Sequence, residues 1–377
     1  MASNFTAADH IHMARALRLA AHGLYTTQPN PRVGCVLTRE DVVVGEGWHQ
    51  RAGEAHAEVI ALRAAGERAR GATAYVTLEP CAHFGRTPPC VDALIAAGVA
   101  RVVIACKDPN PLVAGAGMRL LQAAGIACGT GLMAGEARAL NCGFMSRMER
   151  LRPWVRIKLA MSLDARTALA NGASQWITGE AARSDVQHWR ARSSAILTAI
   201  GTVTADNPRL TVRPEQLAQE QTGVGSVPNV APLRVVLDRA LATPRGAHLL
   251  DGSAPTLIVH GEGPSTIDER FARVERATVP YDPNGRLDLA ATLALLGQRG
   301  VNELQVEAGP ALCGALFTAG LVDELLLYVA PVLLGDSARP LLALPPLGAI
   351  AEGRRMRIVD QRSVGGDLRL RCEVASD

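Results

Sequence analysis

The stretch of sequence that decides the fold of the first half is Thr77–Cys90, which reads TLEPCAHFGRTPPC. It overlaps the end of an apolar run, Ala74–Leu78, that predicts a strand. It leads into Val91–Ala97, whose apolar spacing predicts a helix, and Gly98 provides a left-handed stop for that helix. The stretch therefore connects a strand to a helix, and it carries one cysteine near each end of the connection.

Cysteine and histidine residues in and before this stretch form a ligand pattern for zinc. Cys81 follows the predicted strand, Cys90 opens the next helix, and His56 precedes another predicted helix, Ala57–Ala65. Two thiolates and one imidazole leave a fourth zinc position open for water, which is typical of a catalytic zinc. The start of a helix also favours the thiolate form of Cys90. Glu58 is close enough to His56 to reach that water as a proton shuttle without binding the metal.

The spacing matches a deaminase signature in its first half only. The signature is H-x-E followed by P-C-x-x-C, whereas here eight residues separate Cys81 from Cys90. A lone His-x-Glu is also compatible with an exposed helix start that has no chemistry. Because Pro-Cys pairs follow at strand and helix ends, we interpret these residues as a zinc site.

Strand and helix patterns alternate over the first 150 residues. Apolar residues at helical spacing predict a helix over Ala7–His22, and Val33–Leu37 with Val42–Val44 is typical of a hairpin. A further strand is predicted at Arg101–Ala105. Strands that alternate with helices predict a sheet with helices on both faces.

A charged stretch, Ser146–Arg152, precedes Pro153 and is predicted to be the linker between two domains, 1–147 and 148–377. The segment Arg213–Pro232 is rich in Gln, Gly and Pro, and we expect an exposed, flexible loop.

The second domain also mixes helices with strands. Its end, Arg355–Val359 and Leu368–Val374 joined by Gly365-Gly366-Asp367, predicts an antiparallel hairpin. The other predicted strands are Trp154–Leu159, Ala195–Thr198, Leu233–Leu237, Thr256–Val259, Glu303–Val306 and Glu324–Ala330.

Composition excludes several classes of protein. The chain has 377 residues, of which 48% are hydrophobic, so it can form two or three domains with cores. A net charge of +3 and only 3% aromatic residues do not indicate a nucleic-acid or membrane-surface partner. Met1–Ala16 lacks the apolar centre of a secretory signal, and the most apolar run, Leu325–Leu334, is too short to span a bilayer. We therefore expect a cytoplasmic protein.

The remaining cysteines and a possible nucleotide motif have simpler interpretations. A cytoplasmic chain is expected to keep its eight cysteines as thiols. Gly129–Ala134 matches G-x-G-x-x-A, but no βαβ unit continues from it, so we interpret it as a turn between a strand and a helix. Any nicotinamide is then bound on another fold. The cysteines expected to be small buried residues are Cys106, Cys128, Cys313 and Cys372.

The first half closely resembles the deaminase half of the bifunctional riboflavin-biosynthesis deaminase/reductase family. Besides Thr77–Cys90, the matching motifs are Pro29–Gly34, Gly45–Gly53 and Asp108–Gly115. The resemblance implies a cytidine-deaminase-like three-layer α/β/α domain, in which water displaces the 2-amino group of a diamino-pyrimidinone ribonucleotide. It implies zinc ligands at His56, Cys81 and Cys90, a proton shuttle at Glu58, and substrate contacts from Asn30, His49 and His83. Without it, Asn30 would be a turn residue and the last two histidines surface groups.

The second half resembles the reductase half of the same family in the segments Lys158–Asp164, Ser174–Thr178, Arg183–Arg192, Ala195–Thr198, Thr202–Arg213 and Glu307–Pro310. This resemblance implies an α/β domain with a dihydrofolate-reductase-like fold. Free N–H groups at the helix start that follows Gly309 can hold a cofactor phosphate, although Pro310 itself has no N–H to donate. Arg190 and Arg213 can each bind a substrate phosphate, or else be a solvated helix charge and a loop charge. The implied NADPH/NADP+ site contains Ala160, Trp176, Thr202, Asp206, Gly309, Pro310, Ala311, Leu312, Cys313, Gly314 and Ala315. The implied substrate contacts are Ser174, Arg190, Leu210, Arg213 and Glu307.

Lys158 is one of only two lysines, with Lys107, in a chain of 39 basic residues. Where a bias towards arginine leaves a lysine, the position can require an ammonium, although chance can also leave one. Lys158 stands at the end of the first predicted strand of the second domain. The resemblance places it beside the nicotinamide and the ribose, which implies a catalytic role.

We therefore expect a two-domain enzyme with one Zn2+ per chain and NADPH as cofactor, acting on a small pyrimidine ribonucleotide. We also expect a homo-oligomer, a dimer through the reductase domain. One competing class is a nucleic-acid or free-nucleoside deaminase fused to a non-catalytic nucleotide-binding domain. Another is a structural zinc module, which requires four protein ligands. The chain departs from the family pattern at Arg32, Ala116, Ala165 and Arg239, where Asn, Arg, Gly and Ser are common.

Overall fold

The chain folds as two units, and the boundary between them lies between Leu151 and Arg152. The computed structural model describes residues 5–83, 88–110, 114–217, 230–263 and 268–375. Within these ranges, no helix combines the length and the apolar character needed to cross a membrane. All eight cysteines are free thiols, as predicted.

The first unit alternates strands and helices, as predicted. Its strands are β1 (Gly34–Arg39), β2 (Val42–Trp48), β3 (Thr73–Leu78), β4 (Arg101–Cys106) and β5 (Ala127–Thr130). Its helices are α1 (Ala7–Ala21), α2 (Ala57–Ala65), α3 (Cys90–Ala97), α4 (Ala116–Ala123), α5 (Ala134–Leu140) and α6 (Cys142–Arg150). The sheet order is β2-β1-β3-β4-β5, with β1 antiparallel to both neighbours and β3, β4 and β5 parallel. Strand β5 is therefore an edge, and the turn at Gly129–Ala134 starts no further strand of this sheet.

Alternate residues of the strands enter two separate cores. Val102 and Ile104 of β4 pack in a cluster with residues of α2 and α3, such as Ala61 and Leu94. Val103, the residue between them, packs on the opposite face with residues of α1 and α6. Because side chains alternate along a strand, this sheet has two buried faces, each covered by helices. The expected α/β/α arrangement is confirmed.

The boundary between the units falls within the charged stretch Ser146–Arg152, but most of that stretch belongs to a helix and is not a separate linker. Helix α6 runs to Arg150, and Leu151 ends it with a φ of 57°. Phe144 and Met145 are buried in the core that α1 also contributes to. Two charged residues of the stretch, Glu149 and Arg150, are exposed on the helix, and sequence composition alone does not distinguish such a helix face from a solvated connection.

The second unit contains one large and one small sheet. The large sheet consists of β6 (Trp154–Ser162), β8 (Ala195–Ala199), β9 (Leu233–Leu237), β10 (Thr256–Gly261), β11 (Glu275–Val279), β12 (Glu303–Val306), β13 (Glu324–Ala330), β15 (Met356–Val364) and β16 (Asp367–Val374). The small sheet consists of β7 (Arg166–Ala168) and β14 (Arg339–Pro340). The helices are α7 (Glu180–Arg192), α8 (Ile200–Asp206), α9 (Pro214–Leu217), α10 (Leu289–Gln298) and α11 (Pro310–Thr318).

The nine strands of the large sheet run in the order β11-β10-β9-β8-β12-β6-β13-β16-β15. The first seven strands in this order, from β11 to β13, are all parallel to their neighbours. The last two, β16 and β15, form the predicted antiparallel hairpin at one edge of the sheet, and β16 is also antiparallel to β13. Helices α10 and α11 cover one face, and α7 and α8 cover the other. Within the predicted loop Arg213–Pro232, residues Pro214–Leu217 form α9, while 218–229 lie outside the described residues.

Charged side chains of the neighbouring strands β6, β12 and β13 form a buried cluster. Arg156 of β6 is fully buried, and it donates from Nε to Glu324 Oε1 at 3.0 Å and from Nη2 to Glu303 Oε2 at 3.1 Å. Both carboxylates are also buried, and each pairs with a second arginine, Arg371 and Arg192 respectively. Burying this many charges is costly unless every partner is present, so the cluster depends on Arg156.

Some of the unusual residues have a structural explanation. Ala165 has a φ of 57°, a left-handed conformation in which glycine carries no steric penalty. Arg32 is buried and donates to the backbone carbonyls of Leu140 and Leu24, so it joins α1 and α5 segments of the first unit. Cys106, Cys313 and Cys372 are buried as predicted, whereas Cys128 is only half-buried, because β5 is an edge strand.

We expect Arg156→Met to destabilise the second unit by about 3–5 kcal/mol, because it leaves two buried carboxylates short of a partner. Urea unfolding followed by tryptophan fluorescence measures this. The matched control is Arg357→Met, which removes an exposed arginine from its pair with Glu373 and should cost less than about 1 kcal/mol. Equal stability losses in the two variants would contradict the assigned role of Arg156.

Candidate active sites

The three residues predicted to bind zinc meet at one end of the first sheet. His56 is the N-cap of α2, Cys81 follows β3, and Cys90 is the first residue of α3. The Nδ1 atom of His56 lies 3.1 Å from the Cys90 sulfur and 3.5 Å from the Cys81 sulfur. All three donor atoms lie within 4.8 Å of one another. Tetrahedral zinc with these ligands requires separations of about 3.5 Å, so the donor set fits the metal.

The environment of Cys81 favours its ionised form. Hydrogen bonding with Cys90, including its backbone N–H at 3.3 Å, and with His56 holds the pKa of the Cys81 thiol well below its usual range, although burial opposes this. A thiolate is the form that binds metal. The start of α3 therefore carries one candidate ligand, Cys90, and stabilises the thiolate of another, Cys81.

Glu58 occupies the first turn of α2 and is almost fully buried. Its Oε2 atom has no hydrogen-bond partner among the described residues. Burial, and next the nearby charge of Cys81, raise the pKa of Glu58 to about 7. A buried carboxyl group with an unpartnered oxygen beside a metal-ligand set is the arrangement that a proton shuttle requires.

A cavity of about 520 Å³ opens onto these residues, and Asn30, His49 and His83 line it as expected. Nδ1 of His49 lies 3.2 Å from the carbonyl oxygen of Ala55, so this nitrogen is the donor. Nε2 of the same ring then accepts from the Asn30 amide at 3.1 Å. Burial lowers the pKa of His49, which favours this neutral form. These contacts fix the orientation of both side chains.

The structure adds cavity residues that the sequence motifs did not single out. They are Glu54, Glu79, Asp108, Asn110 and Arg147. Asp108 and Asn110 lie in the Asp108–Gly115 motif, which was a usable signal, although residues 111–113 lie outside the described residues. Arg147 gave no such signal, because it belongs to the stretch interpreted as a linker.

Glu79 has a structural role at the edge of this cavity. Its carboxylate accepts backbone N–H groups of Asp108, Gly115 and Met118 at 3.0–3.3 Å. Helix α4 comes so close that a Cβ on Gly117 would clash with the Pro80 carbonyl oxygen. Glu79 therefore holds the chain after β4 against the connection that carries Cys81.

The second unit has a larger cavity, of about 800 Å³, at the carboxyl ends of β6, β8 and β12. Parallel pairing of β12 with both neighbours brings these ends to one edge, where ligands of open α/β sheets usually bind. Helices α8 and α11 begin at the same edge, and helix starts favour phosphate groups. The predicted residues that line the cavity are Lys158, Ala160, Ser174, Trp176, Arg190, Thr202, Asp206, Leu210, Arg213, Glu307, Gly309, Pro310, Ala311 and Leu312.

The predicted cofactor segment enters the cavity only in part. Cys313, Gly314 and Ala315 do not line it. Cys313 is fully buried in the core beneath α11, and Gly314 packs against the Ala343 backbone. A helix presents only part of its surface to one side, so a run of seven residues cannot all face the same ligand.

Arg190 has a protein partner in this cavity. Its guanidinium donates to both oxygens of Glu307, at 2.7 Å each, and to the carbonyl oxygen of Thr211 at 2.9 Å. It is neither a solvated helix charge nor an isolated phosphate clamp. Although burial opposes ionisation of Glu307, the charge of Arg190 and its hydrogen bonds lower the pKa of Glu307 to about 2.

Lys158 lies in the middle of β6, not at its end, because the strand continues to Ser162. Ile157 of β6 pairs with Val306 of the parallel strand β12, so Lys158 and Glu307, the next residue on each side, lie at the same level of the sheet. Burial lowers the pKa of Lys158, and the negative charge of Glu307 opposes that change. A lysine in this environment can give up a proton more readily than an exposed one.

Trp176 has an open aromatic face at the other side of the cavity. Its side chain is 65% exposed, and the Arg183 guanidinium lies 4.6 Å from its ring. Arg183, Gln187 and Arg339 also line the cavity. The first two lie in the segment Arg183–Arg192 that resembles the reductase family, whereas Arg339 gave no sequence signal. An exposed tryptophan beside a cationic group is suited to stacking against a planar ring such as a nicotinamide or adenine.

Comparisons with known proteins match both units. The model of the cytidine and deoxycytidylate deaminase zinc-binding region matches residues 6–106, and that of the RibD C-terminal domain matches residues 153–370. Riboflavin biosynthesis protein RibD of Escherichia coli is 50% identical over 361 residues, covering 96% of this chain and 98% of the relative. The Haemophilus influenzae protein of the same name is 47% identical and covers 97% of each chain.

Solved structures agree with this result. Form 1 of Acinetobacter baumannii RibD superposes with a TM-score of 0.89 at 44% identity, covering 98% of this chain and 99% of the other. A Thermotoga maritima diaminohydroxyphosphoribosylaminopyrimidine deaminase/5-amino-6-(5-phosphoribosylamino)uracil reductase superposes with a TM-score of 0.83 at 28% identity, with the same coverage. The chain therefore belongs to the RibD family of riboflavin-biosynthesis enzymes, and it joins a zinc-binding deaminase domain to a reductase domain.

Proposed function

We propose that this enzyme deaminates 2,5-diamino-6-ribosylamino-4(3H)-pyrimidinone 5′-phosphate at the first site and reduces the ribosyl group of the product with NADPH at the second. The observation that carries the proposal is the grouping of His56, Cys81 and Cys90 around the buried Glu58, in a chain that also holds the second cavity. The name of the Thermotoga relative, which describes these two reactions, supports the choice of substrate.

The first reaction replaces an amino group by oxygen. Zinc held by His56, Cys81 and Cys90 would activate a water molecule, which is the nucleophile. Glu58 accepts a proton from that water and delivers it to the departing amino group, which leaves as ammonia. With a pKa of about 7, Glu58 can both take up and release this proton near neutral pH. Asn30, His49 and His83 contact the pyrimidine ribonucleotide and orient it.

The second reaction opens the sugar. NADPH, when bound, supplies a hydride, which C1′ accepts as the bond from C1′ to the ring oxygen breaks. The ring oxygen then requires one proton, and Lys158 lies in the cavity as a half-buried acid with a lowered pKa. Glu307 keeps the ammonium close through its charge, and Arg190 keeps Glu307 ionised. Trp176 and the start of α11 provide a stacking surface and N–H groups for the cofactor.

The proposal includes the organisation of the molecule. We place the boundary between the deaminase and reductase domains at Leu151–Arg152 and not after residue 147, because a cut there would divide α6. We also propose one zinc per chain, a cytoplasmic location, and a homo-oligomer formed through the reductase domain. Strand β15 supports the last point, because it is a nine-residue edge strand with exposed side chains such as Ile358.

We expect the two reactions to respond differently to metal removal. Metal analysis should find one zinc per chain, and chelation should abolish ammonia release because the nucleophile is no longer activated. NADPH oxidation with the already deaminated nucleotide should continue. Both activities are followed separately on the full-length protein, and added zinc should restore the first. Ammonia release that persists in the zinc-free protein would contradict the proposed reaction.

We expect Glu58→Gln to lower deamination by at least about 100-fold, the scale of a lost acid–base group, with zinc content unchanged. An amide cannot accept and return the proton. The matched control is Glu67→Gln, an exposed glutamate of the same unit, which should leave ammonia release unaltered. Reductase activity should be unaffected in both variants. Near-normal deamination by Glu58→Gln would show that another group moves the proton.

We expect Lys158→Arg to reduce NADPH-dependent reduction by about 1–3 kcal/mol of transition-state stabilisation, the scale of a charged hydrogen bond. A guanidinium is wider than an ammonium and does not release its proton at working pH. Lys107→Arg changes the other lysine, which is exposed, and should have no effect on either reaction. If both variants reduce the substrate at the normal rate, Lys158 has no chemical role.

A further inference from the structure

Arg147 of α6 lies in the wall of the deaminase cavity. Its Nη2 atom donates to the carbonyl oxygen of Pro29 at 3.3 Å, and its guanidinium lies 5.9 Å from the Phe144 ring. The side chain is half-buried, and burial lowers its pKa. Helix α6 therefore places a partly desolvated cation against the segment that carries Asn30.

The charges around the cavity are unequal. Among its described lining residues, Arg147 is the only arginine or lysine, whereas Glu54, Glu58, Glu79 and Asp108 are carboxylic acids. Two thiolate ligands offset the charge of a bound zinc, so the metal does not balance these acids. A ligand that carries a phosphate dianion would be repelled by such a cavity unless it paired with a cation. The guanidinium is the group suited to that pairing, because it can donate two parallel hydrogen bonds to phosphate.

The contacts along the wall give the cavity two ends. Arg147 contacts Pro29, Asn30 follows Pro29 in the chain, and Asn30 bonds to His49. The His49 ring lies 5.4 Å from the ring of His56, which belongs to the zinc-ligand set. Along the wall, the Pro29–Asn30 segment and His49 therefore connect the guanidinium of Arg147 to the zinc-ligand set. A nucleotide has the same layout, with its base and its phosphate at opposite ends of a ribose.

We propose that Arg147 binds the 5′-phosphate of the deaminase substrate and so makes the first site selective for a nucleotide over the corresponding nucleoside. This inference rests on the proposed function, because it requires that the substrate is a phosphorylated pyrimidine riboside. It gives α6 two roles, since one face of the helix packs in the core while Arg147 enters the cavity.

The test compares ammonia release from the diaminopyrimidinone ribonucleotide and from its dephosphorylated nucleoside, using the full-length enzyme. Arg147→Met should lower kcat/KM for the nucleotide by about 10- to 100-fold, mostly through KM, because a charged hydrogen-bonded pair is lost. Deamination of the nucleoside should fall much less, and Arg147→Lys should recover part of the loss with the nucleotide. Inorganic phosphate should compete with the nucleotide in the unmodified enzyme, and this inhibition should be weaker in Arg147→Met.

The matched control is Arg150→Met. Arg150 is an exposed arginine on the same helix that bonds to Ser146, and it does not line the cavity. It should behave as the unmodified enzyme with both substrates. Zinc content and thermal unfolding are measured for every variant, and Arg147→Lys retains a charge if Arg147→Met does not fold.

Two results would overturn the inference. An equal loss with nucleotide and nucleoside would show that Arg147 acts only through the Pro29–Asn30 segment. Normal kinetics with the nucleotide would show that the phosphate is bound elsewhere. Failure of the unmodified enzyme to release ammonia from either compound would instead contradict the proposed function itself.

Discussion

Parallel strand pairing is the constraint on which both active sites depend. In the first unit, β3 and β4 run in the same direction, so Cys81 and Asp108, which follow them, emerge at one edge of the sheet. In the second unit, β12 lies between β6 and β8 and brings Glu307 level with Lys158 and the start of α8. After each parallel strand, the chain must return to the opposite end of the strands, usually through a helix. Helices therefore begin near the points where parallel strands end. Reactive side chains and N–H groups for anions thus share the same edge.

The two sites use buried charge in opposite ways. In the reductase cavity, Glu307 is paired with Arg190 and lies near Lys158, so its charge is balanced and its pKa is low. In the deaminase cavity, Glu58 has an oxygen without a partner among the described residues, and its pKa is high. A paired carboxylate holds a fixed charge that orients its neighbours, whereas an unpaired buried carboxyl group can change its protonation. The same functional group is therefore a paired, charged anchor in one unit and, in the other, a buried carboxyl group suited to the acid–base role proposed for it.

The sequence patterns predicted helices and strands correctly where the apolar residues followed one clear spacing, either helical or strand-like. The helices at Ala7–Ala21 and Ala57–Ala65, and most strands of the two sheets, such as β3, β4 and β12, follow directly from apolar spacing, whereas β11 was not predicted. Prediction failed at α6, because a run of charges has the same composition in a linker and on one face of a packed helix. It also failed in part at Gly309–Ala315, because a family motif is continuous in sequence, whereas only one side of a helix can face a ligand.

By itself, the sequence determined the family and the candidate residues of the first site. His56, Glu58, Cys81 and Cys90 can be identified from residue type and context as candidates for binding zinc and moving protons, because few side chains do either and these stand at predicted element ends. Only the tertiary structure decided which charges meet. Arg190 and Glu307 are 117 positions apart, and Arg147 is 118 positions from Pro29, so no local pattern relates them. Electrostatic interactions depend on distance in space and on burial, and both are set by how the sheets and helices pack.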